Sequence, residues 1–233
     1  MKYTENKKII FIGGTARSGS TLLDVYIAND PKAMSLGEIQ NLFNPTRIHH
    51  FEEIQRIKNN NNKWKTIIED GKKNLYHNLI NEFPEIDIFV DSSKNPLWIN
   101  YHQKKTSNDY EIHNVLISKS PEELAQSFIK RGKSDAWIRV YINYHRKYFT
   151  LIRDFYSLSY SEFVCDENIK KELCSYLNIS YSTDKSRYWE KKHQTFFGSN
   201  SVKSEEGHSA GKQIETFNRK TFEYKKPDTE TID

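Results

Sequence analysis

The sequence carries a glycine loop near its N-terminus, between Gly14 and Thr21, whose residue types suit anion binding. It follows the apolar run KKIIFIGG, and the hydrophobic spacing after it predicts a helix. A buried strand that leads through a glycine loop into a helix start directs several backbone N–H groups at one spot, where the helix dipole adds partial positive charge. The candidate anion ligands are Thr15, Ala16, Arg17, Ser18, Gly19, Ser20 and Thr21.

The loop departs from the common triphosphate-binding loop at one position. Two glycines followed by a hydroxyl residue match that loop in spacing, but Ser20 stands where its lysine is expected. The sequence shows no obvious aspartate that would bind magnesium beside this loop. The loop therefore lacks the ligands that a β,γ-phosphate pair and its metal need, although Arg17 supplies one positive charge. We therefore expect an anion of lower charge, such as the sulfuryl end of a phosphosulfate, with no metal required.

The sequence resembles the sulfotransferases that use 3′-phosphoadenosine 5′-phosphosulfate, particularly bacterial members and the protein-tyrosine sulfotransferases. The stretch TARSGSTLL is similar to the family's 5′-phosphosulfate loop. The stretch VLISKSPEELAQSFIKRG resembles the element that binds the 3′-phosphate, in which a basic residue closes a strand and a serine follows on a helix. Lys119 stands where arginine is usual, which keeps the charge and gives up the bidentate fork. The matching residues of this element are Lys119, Ser127 and Arg131.

Other stretches extend the resemblance over most of the chain. In GEIQNLF, Glu38 matches the glutamate that contributes the catalytic base in tyrosine sulfotransferases. In VDSSKNP, Lys94 matches a lysine near the transferring sulfuryl group, and in LSYSEFV, Tyr160 matches a tyrosine that faces the nucleotide. The stretch HQTFFGSNSV resembles a C-terminal lid segment, with matching residues His193, Gly198 and Asn200.

The resemblance implies in-line transfer of a sulfuryl group to a hydroxyl acceptor, with adenosine 3′,5′-bisphosphate as the second product. Such a transition state is loose, so catalysis is mostly alignment and charge stabilisation, and Arg17 and Lys94 are the cations that suit this task. Glu38 is the candidate base for the acceptor proton. The pair HH, in a polar stretch, is expected in an exposed loop. The histidines that compete for the role of base are His49, His50 and His193.

Two other function classes remain open at this point. One is a nucleotide or small-molecule kinase with a degenerate loop, which would depend on magnesium and ATP. The other is a relative that keeps the nucleotide pocket but has lost catalysis, which Lys119 and the altered lid favour. Glu38 and Lys94 favour an enzyme. The phosphate elements also have plain structural interpretations, as a glycine turn and as an amphipathic helix with a basic C-terminus.

The elements that position these residues follow a strand–helix alternation. After the first strand and its helix, further strands are expected near residues 86–90, 112–117 and 157–160. Strands that alternate with helices indicate a parallel sheet covered on both faces. We therefore expect an α/β fold of the three-layer P-loop type, with a central parallel sheet, a helical cap insertion and a C-terminal lid.

The domain organisation follows from the same reading. We expect a sulfotransferase domain over residues 1–190, with the cap at about 40–84, and a lid or tail over 191–233. Within the cap, KNNNNKW is typical of a solvated loop and the rest of polar helix. The tail is rich in Lys, Glu, Ser, Gly and Thr, which indicates a lid or arm without a core of its own.

The composition of the chain limits which binding partners and which cellular compartment we expect. The net charge of +4 is close to balance, so we expect no nucleic-acid partner. The two cysteines form no CxxC pair, which argues against a zinc site or a disulfide framework. The apolar runs are too short for a membrane span or a signal peptide, and we expect a cytoplasmic protein. The resemblance favours a carbohydrate among small-molecule or glycan hydroxyl acceptors; the sequence determines neither acceptor nor oligomeric state.

Overall fold

A five-stranded parallel sheet forms the centre of the protein in a computed structural model that describes residues 7–106, 109–129, 132, 136–199 and 202. The spatial order is β2-β3-β1-β4-β5, and every neighbouring pair is parallel. The expected α/β class with a central parallel sheet is confirmed. The strands are β1 (Lys8–Gly13), β2 (Ala33–Gly37), β3 (Ile88–Lys94), β4 (Glu111–Ser118) and β5 (Tyr156–Ser159).

Helices cover both faces of the sheet. Four of them, α2 to α5, lie between β2 and β3 in the chain and form the cap. Their bounds are α1 (Ser20–Ile27), α2 (Gln40–Phe43), α3 (Ile48–Asn60), α4 (Asn62–Asp70), α5 (Leu75–Glu82), α6 (Pro96–Thr106), α7 (Pro121–Ile129), α8 (Ala136–Leu151), α9 (Tyr160–Cys165) and α10 (Glu167–Tyr176), with 3-10 turns at Lys72–Asn74 and Thr183–Glu190.

The central strand separates two hydrophobic cores. Every residue of β1 is buried, as expected of a parallel strand covered on both faces. Ile9 and Phe11 pack with the cap and α6, whereas Ile10 and Ile12 pack with α1 and α10. Full burial of an isoleucine or phenylalanine stabilises the fold by about 1.5–3 kcal/mol. The alternating side chains of one strand thus hold the three layers together.

The asparagine run in the cap is helical, and its assignment as a solvated loop is wrong. Helix α3 extends to Asn60, α4 begins at Asn62, and Asn61 alone separates them. The Asn61 side chain accepts a hydrogen bond from the N–H of Trp64 at 3.2 Å, so it caps α4. Trp64 is buried in the core beneath. One capping asparagine and one anchored tryptophan therefore replace the expected loop.

Several boundaries differ from the sequence expectations. Strand β3 begins at Ile88 and continues through DSSK to Lys94, beyond the expected end at residue 90. Tyr160 opens α9 instead of ending β5, because Ser159 caps that helix by accepting from the N–H of Glu162. Strand β2, which the sequence analysis did not identify, pairs with β3.

The start of the expected tail packs against the sheet. Gly37 and Phe196 form a parallel bridge, in which the Phe196 N–H donates to Leu36 O at 3.3 Å and the Glu38 N–H donates to Phe196 O at 2.8 Å. Phe196 is buried in the core on the cap side. Apart from Val202, the tail beyond Ser199, which includes Asn200, lies outside the described residues, so the lid stays a prediction.

Candidate active site

The candidate residues lie at one edge of the sheet, because all five strands are parallel and end there. The glycine loop follows β1, Glu38 follows β2, and Lys94 ends β3. Lys119 follows β4, and Tyr160 follows β5. The carboxyl edge of an open α/β sheet is the usual place for a ligand.

The glycine loop runs from the end of β1 to the start of α1. Gly19 precedes the helix with φ 100°, and a Cβ there would lie 2.3 Å from Cδ2 of Tyr160. Only glycine therefore fits this close approach. Ala16 is exposed and Arg17 is half-buried. The hydroxyl residues of the loop are buried: Thr15, Ser18, Ser20 and Thr21.

The hydroxyl group of Ser18 in the glycine loop indicates that the loop binds a polar ligand. Its Oγ is buried and makes no hydrogen bond within the described part of the chain. A buried hydroxyl without a partner costs about 1–3 kcal/mol, which a bound anion would recover by accepting a hydrogen bond from it. Such an orphaned donor fits a phosphate or sulfuryl oxygen at the mouth of the loop.

Both candidate cations lie in left-handed backbone. Arg17 has φ 74° and Lys94 has φ 66°, a region that costs a non-glycine residue about 1–3 kcal/mol. Among the described residues, the other non-glycine positions with positive φ are Asn178 and Phe197. Strain of this kind concentrates where side chains must be aimed at a ligand.

Lys94 and Glu38 form an ion pair across the ends of β3 and β2. The Lys94 Nζ donates to Glu38 Oε1 at 2.6 Å and to the carbonyl of Ser92 at 3.2 Å. The Asn41 side chain donates to the second Glu38 oxygen at 3.3 Å. The two side chains are partly accessible, at 16% for lysine and 29% for glutamate. A cation and a carboxylate that a substrate can reach are thereby held side by side.

The expected phosphate-binding helix approaches the glycine loop. The Arg17 Nε donates to Ser127 Oγ at 3.4 Å, so α7 lies next to the loop. The Lys119 Nζ lies 4.3 Å from the ring centroid of Tyr160. Burial raises the pKa of Tyr160 to about 12, so its phenol is neutral at physiological pH. Arg131 lies outside the described residues, and its role stays a prediction.

The histidines differ from the exposed loop that was expected. His50 is buried in α3, where its Nδ1 accepts from the Thr46 N–H at 3.3 Å and its ring lies 4.7 Å from that of Phe197. Burial, with smaller effects from His49 and Arg47, lowers the pKa of His50, and Glu38 opposes that shift. The prediction is wrong for His50, whereas His49 is exposed.

His193 bonds the backbone of the preceding 3-10 turn. Its Nε2 lies 2.9 Å from the carbonyl oxygen of Tyr188. Tyr188 belongs to the core cluster that includes α1. The contact does not connect His193 with Glu38.

Tyr144 on α8 is a site residue that the sequence analysis missed. Its hydroxyl accepts from the Gly14 N–H at 2.7 Å and donates to the Lys94 carbonyl at 2.6 Å. Burial raises the pKa of Tyr144, which keeps the donating proton in place. Tyr144 thus ties the glycine loop to the strained end of β3. The signal in the sequence was the pair of tyrosines Tyr144 and Tyr148, one helical turn apart.

Asp24 is a second residue that the sequence analysis missed. It lies in α1, is fully buried, and accepts hydrogen bonds from the Gly37 N–H at 3.1 Å and from Ser92 Oγ at 2.6 Å. Burial raises its pKa to about 7, against the opposing effect of its hydrogen bonds. The signal in the sequence was a lone acid within the apolar helix STLLDVYI.

Across the described ranges, no group of three or more His, Cys, Asp or Glu side chains is arranged to hold a metal ion. Within those ranges, none of the helices has the length and apolar character that crossing a bilayer requires. Cys165 is exposed and Cys174 is buried, and neither forms a disulfide.

Comparison with known proteins identifies the fold. No family model matches the sequence, and no curated protein matches it. Among solved structures, the sulfotransferase domain of the Synechococcus PCC 7002 olefin synthase aligns with a TM-score of 0.61 at 15% identity, over 87% of this chain and 84% of that domain. The sulfotransferase domain from the curacin biosynthetic pathway aligns at 0.59 and 16% identity, over 82% of this chain and 81% of that domain. The chain therefore has the sulfotransferase fold, as its resemblance to that family implies.

Proposed function

We propose that the protein transfers a sulfuryl group from 3′-phosphoadenosine 5′-phosphosulfate to a hydroxyl acceptor by in-line displacement. The observation that carries this proposal is the convergence of Arg17, Lys94 and Glu38 at one edge of a sulfotransferase fold, with Arg17 also bonded to Ser127 at 3.4 Å. Two cations, a carboxylate and a helix suited to a second phosphate thus border one site. Alignment and charge stabilisation are what sulfuryl transfer needs from a protein.

The glycine loop would hold the 5′-phosphosulfate. Its backbone N–H groups and the positive end of α1 suit an anion, and the orphaned Ser18 hydroxyl suits one of its oxygens. When bound, the nucleotide supplies the activated sulfuryl group. The remaining loop ligands of this proposal are Thr15, Ala16, Arg17, Gly19, Ser20 and Thr21.

The 3′-phosphate would lie between the end of β4 and α7. Lys119 supplies charge there and Ser127 a hydroxyl, and we retain Arg131 as a further ligand on family resemblance. Tyr160 contacts both halves of the nucleotide site, because its ring lies against Gly19 and beneath the Lys119 ammonium. A cation over an aromatic ring contributes about 0.5–1 kcal/mol at an exposed site. Tyr160 would therefore help to set the spacing of the two anion sites.

The transfer step then assigns a task to each charged group. The acceptor oxygen forms a bond to sulfur while the bond from sulfur to the bridging oxygen of the donor breaks. Glu38 takes the acceptor proton, and Arg17 and Lys94 stabilise the negative charge that develops on the departing bisphosphate. Loss of one such donor typically costs about 3 kcal/mol of barrier, or about a hundredfold in rate.

The acceptor is proposed at the level of its chemical class. A sulfotransferase fold suits a small molecule with a hydroxyl group, and the family resemblance favours a carbohydrate. The absence of a nucleic-acid partner and the cytoplasmic location stay predictions from the sequence. A panel of sugars, phenols and peptides, each incubated with radiolabelled donor, would identify the acceptor by transfer of the label.

Calorimetry tests the donor class without knowledge of the acceptor. We expect adenosine 3′,5′-bisphosphate to bind without metal, and adenosine 5′-phosphate to bind more weakly because it lacks the 3′-phosphate. Lys119→Ala should reduce that difference, while exposed Lys104→Ala serves as the matched control. Binding of ATP with magnesium, together with no binding of the bisphosphate, would assign a kinase instead. Bisphosphate binding with no turnover on any acceptor would assign an inactive relative.

A further inference from the structure

We propose that Asp24 is a positioning residue, which holds the candidate base Glu38 and the candidate cation Lys94 in register for sulfuryl transfer. This inference rests on the proposed function. Asp24 lies behind the glycine loop on α1, and its side chain has no solvent access. It cannot touch a bound substrate, so any effect on the reaction must pass through the groups that it holds.

Two hydrogen-bond partners of Asp24 belong to the two strand ends that carry the reactive groups. Gly37, whose N–H donates to Asp24 at 3.1 Å, immediately precedes Glu38. Ser92, whose hydroxyl donates to the same oxygen at 2.6 Å, accepts from the Lys94 Nζ through its carbonyl at 3.2 Å. Lys94 in turn donates to Glu38 at 2.6 Å. The contacts close a circuit that begins and ends at Asp24.

Regular strand pairing does not fix these two strand ends. The register of β1 against β3 shifts between Phe11 and Gly13, and that of β2 against β3 shifts between Ser35 and Gly37. Irregularities of this kind bend a strand and redirect its side chains, often beside active sites. Contacts from outside the regular pairing therefore hold these ends: Phe196 bonds the end of β2, and Tyr144 bonds the end of β3. Asp24 differs from both because it contacts the two ends at once.

The burial of Asp24 argues against an incidental role. All eight residues of α1 are buried, and the others are apolar or carry hydroxyl groups. A buried carboxyl group costs free energy of folding, which an apolar residue would avoid. That cost has an explanation if the carboxyl group organises two strand ends that no apolar side chain could hold. One oxygen that accepts from two strands provides this function.

Substitution tests the proposal through turnover and binding together. Asp24→Ala removes the acceptor of both hydrogen bonds, and Ser92→Ala removes one of the two donors. Each should lower kcat, by up to about a hundredfold for a displacement near 1 Å, and leave the affinity for adenosine 3′,5′-bisphosphate within about twofold. The double variant should lose little more than Asp24→Ala alone, because that change already removes the contact with Ser92. Ser92→Ala keeps the test available if Asp24→Ala does not fold.

A matched control separates positioning from lost stability. Asn114 is buried in β4 and donates to the Asp154 carbonyl at 2.9 Å, away from the circuit. Asn114→Ala should lower the melting temperature and keep kcat when assayed well below it. Wild-type kcat in both Asp24→Ala and Ser92→Ala, or an equal loss of kcat in Asn114→Ala, would overturn the proposal.

Amide hydrogen exchange provides a readout that needs no activity. In Asp24→Ala, or in Ser92→Ala if the former does not fold, exchange should accelerate at Gly37, Glu38 and Lys94 and stay unchanged in the centre of β4. Unchanged exchange at those three amides would remove the positioning role whatever the activity. If the wild-type protein neither binds the bisphosphate nor transfers sulfate, the proposed function fails, and exchange alone then decides whether Asp24 holds the two strand ends.

Discussion

At the scale of single residues, the candidate site places reactive side chains in unfavourable backbone. Arg17 and Lys94 both have positive φ, although neither is a glycine. The Lys94 carbonyl is held by the Tyr144 hydroxyl at 2.6 Å, and its ammonium by Glu38. These contacts offset local strain of about 1–3 kcal/mol. We infer that the left-handed backbone at Lys94 is retained because it directs the lysine side chain towards Glu38.

Substitution of Lys94 should separate stability from activity. Lys94→Gly removes the cation and relieves the left-handed strain, whereas Lys94→Ala removes the cation and keeps the strain. We expect both variants to lose about a hundredfold in kcat. The glycine variant should be more stable than the alanine variant by about 1 kcal/mol, measured by urea unfolding. Wild-type turnover in Lys94→Ala would exclude the lysine from the reaction.

Substitution of Glu38 tests the identity of the base. Glu38→Gln keeps the shape of the side chain and removes its ability to take a proton. We expect kcat to fall by about 100-fold or more, with bisphosphate affinity nearly unchanged. His50→Gln is the matched variant, since His50 is the histidine whose pKa responds to Glu38. Retained turnover in Glu38→Gln, together with its loss in His50→Gln, would transfer the role to the histidine.

At the scale of elements, the ends of the five strands and the helices beside them converge at one edge of the sheet. Helix α8 contributes most through Tyr144, which bonds both the glycine loop and the end of β3. Tyr148, one turn further, packs beneath Gly13, where a Cβ would lie 2.3 Å from its ring. The loop is thus held from below by a helix that is distant in the sequence.

Removal of the Tyr144 hydroxyl should loosen this arrangement. Tyr144→Phe leaves the Gly14 N–H and the Lys94 carbonyl without that partner, which should cost about 1–3 kcal/mol of stability. Bisphosphate affinity, measured by calorimetry, should fall as well, because the backbone N–H of Gly14 at the start of the glycine loop is no longer held in place. Tyr141→Phe, on the same helix, is the control. Equal affinities for the two variants would remove Tyr144 from the nucleotide site.

The sequence predicts those strands and helices that have a clear local pattern of apolar residues. Strand β1 is a run of isoleucine and phenylalanine, and β4 contains the apolar stretch VLI. Strand β4 lies within one residue of its predicted bounds at each end. Strand β2 has the sequence AMSLG, too short and weakly apolar to be recognised, and pairing with β3 makes it a strand. The helical asparagine run depends on the burial of Trp64, which no local pattern reveals.

The site residues also divide into those that the sequence indicates locally and those that only the fold brings together. Arg17 and Lys94 were expected after two neighbouring strands, and they lie at one edge of the sheet because parallel strands end there. Glu38 lies at the same edge because it follows β2, a strand that the sequence did not reveal. Tyr144 and Asp24 were missed because their contacts join residues far apart in the sequence. A lone acid in an apolar helix indicates a buried role, but only the fold shows which strand ends it holds.

At the scale of the whole molecule, the buried Asp24 makes the free energy of unfolding depend on pH. Burial raises its pKa to about 7, whereas an aspartate in the unfolded chain has a pKa near 3.9. Between about pH 4 and pH 7 the native state therefore holds a proton that the unfolded state has released. The contribution of Asp24 to stability must fall as the pH rises through this window.

Unfolding at several pH values tests this linkage. The difference in free energy of unfolding, wild type minus Asp24→Asn, should decrease steadily from pH 4 to pH 7, by about 1.4 kcal/mol for each unit of pKa shift. The comparison cancels ionisable groups common to both proteins, including buried His102, whose pKa burial lowers to about 3. A constant difference, or one that grows with pH, would contradict the burial of an ionisable Asp24.

Transfer of the sulfuryl group itself is the most direct test of the central claim. Purified protein, incubated with radiolabelled 3′-phosphoadenosine 5′-phosphosulfate and a panel of hydroxyl compounds, should move label to at least one acceptor and release bisphosphate in equal amount. Chelation of divalent metals should leave the rate unchanged, and the double variant Glu38→Gln, Lys94→Ala should be inactive. Label that stays on the nucleotide with every acceptor, or equal transfer by that double variant, would contradict the account.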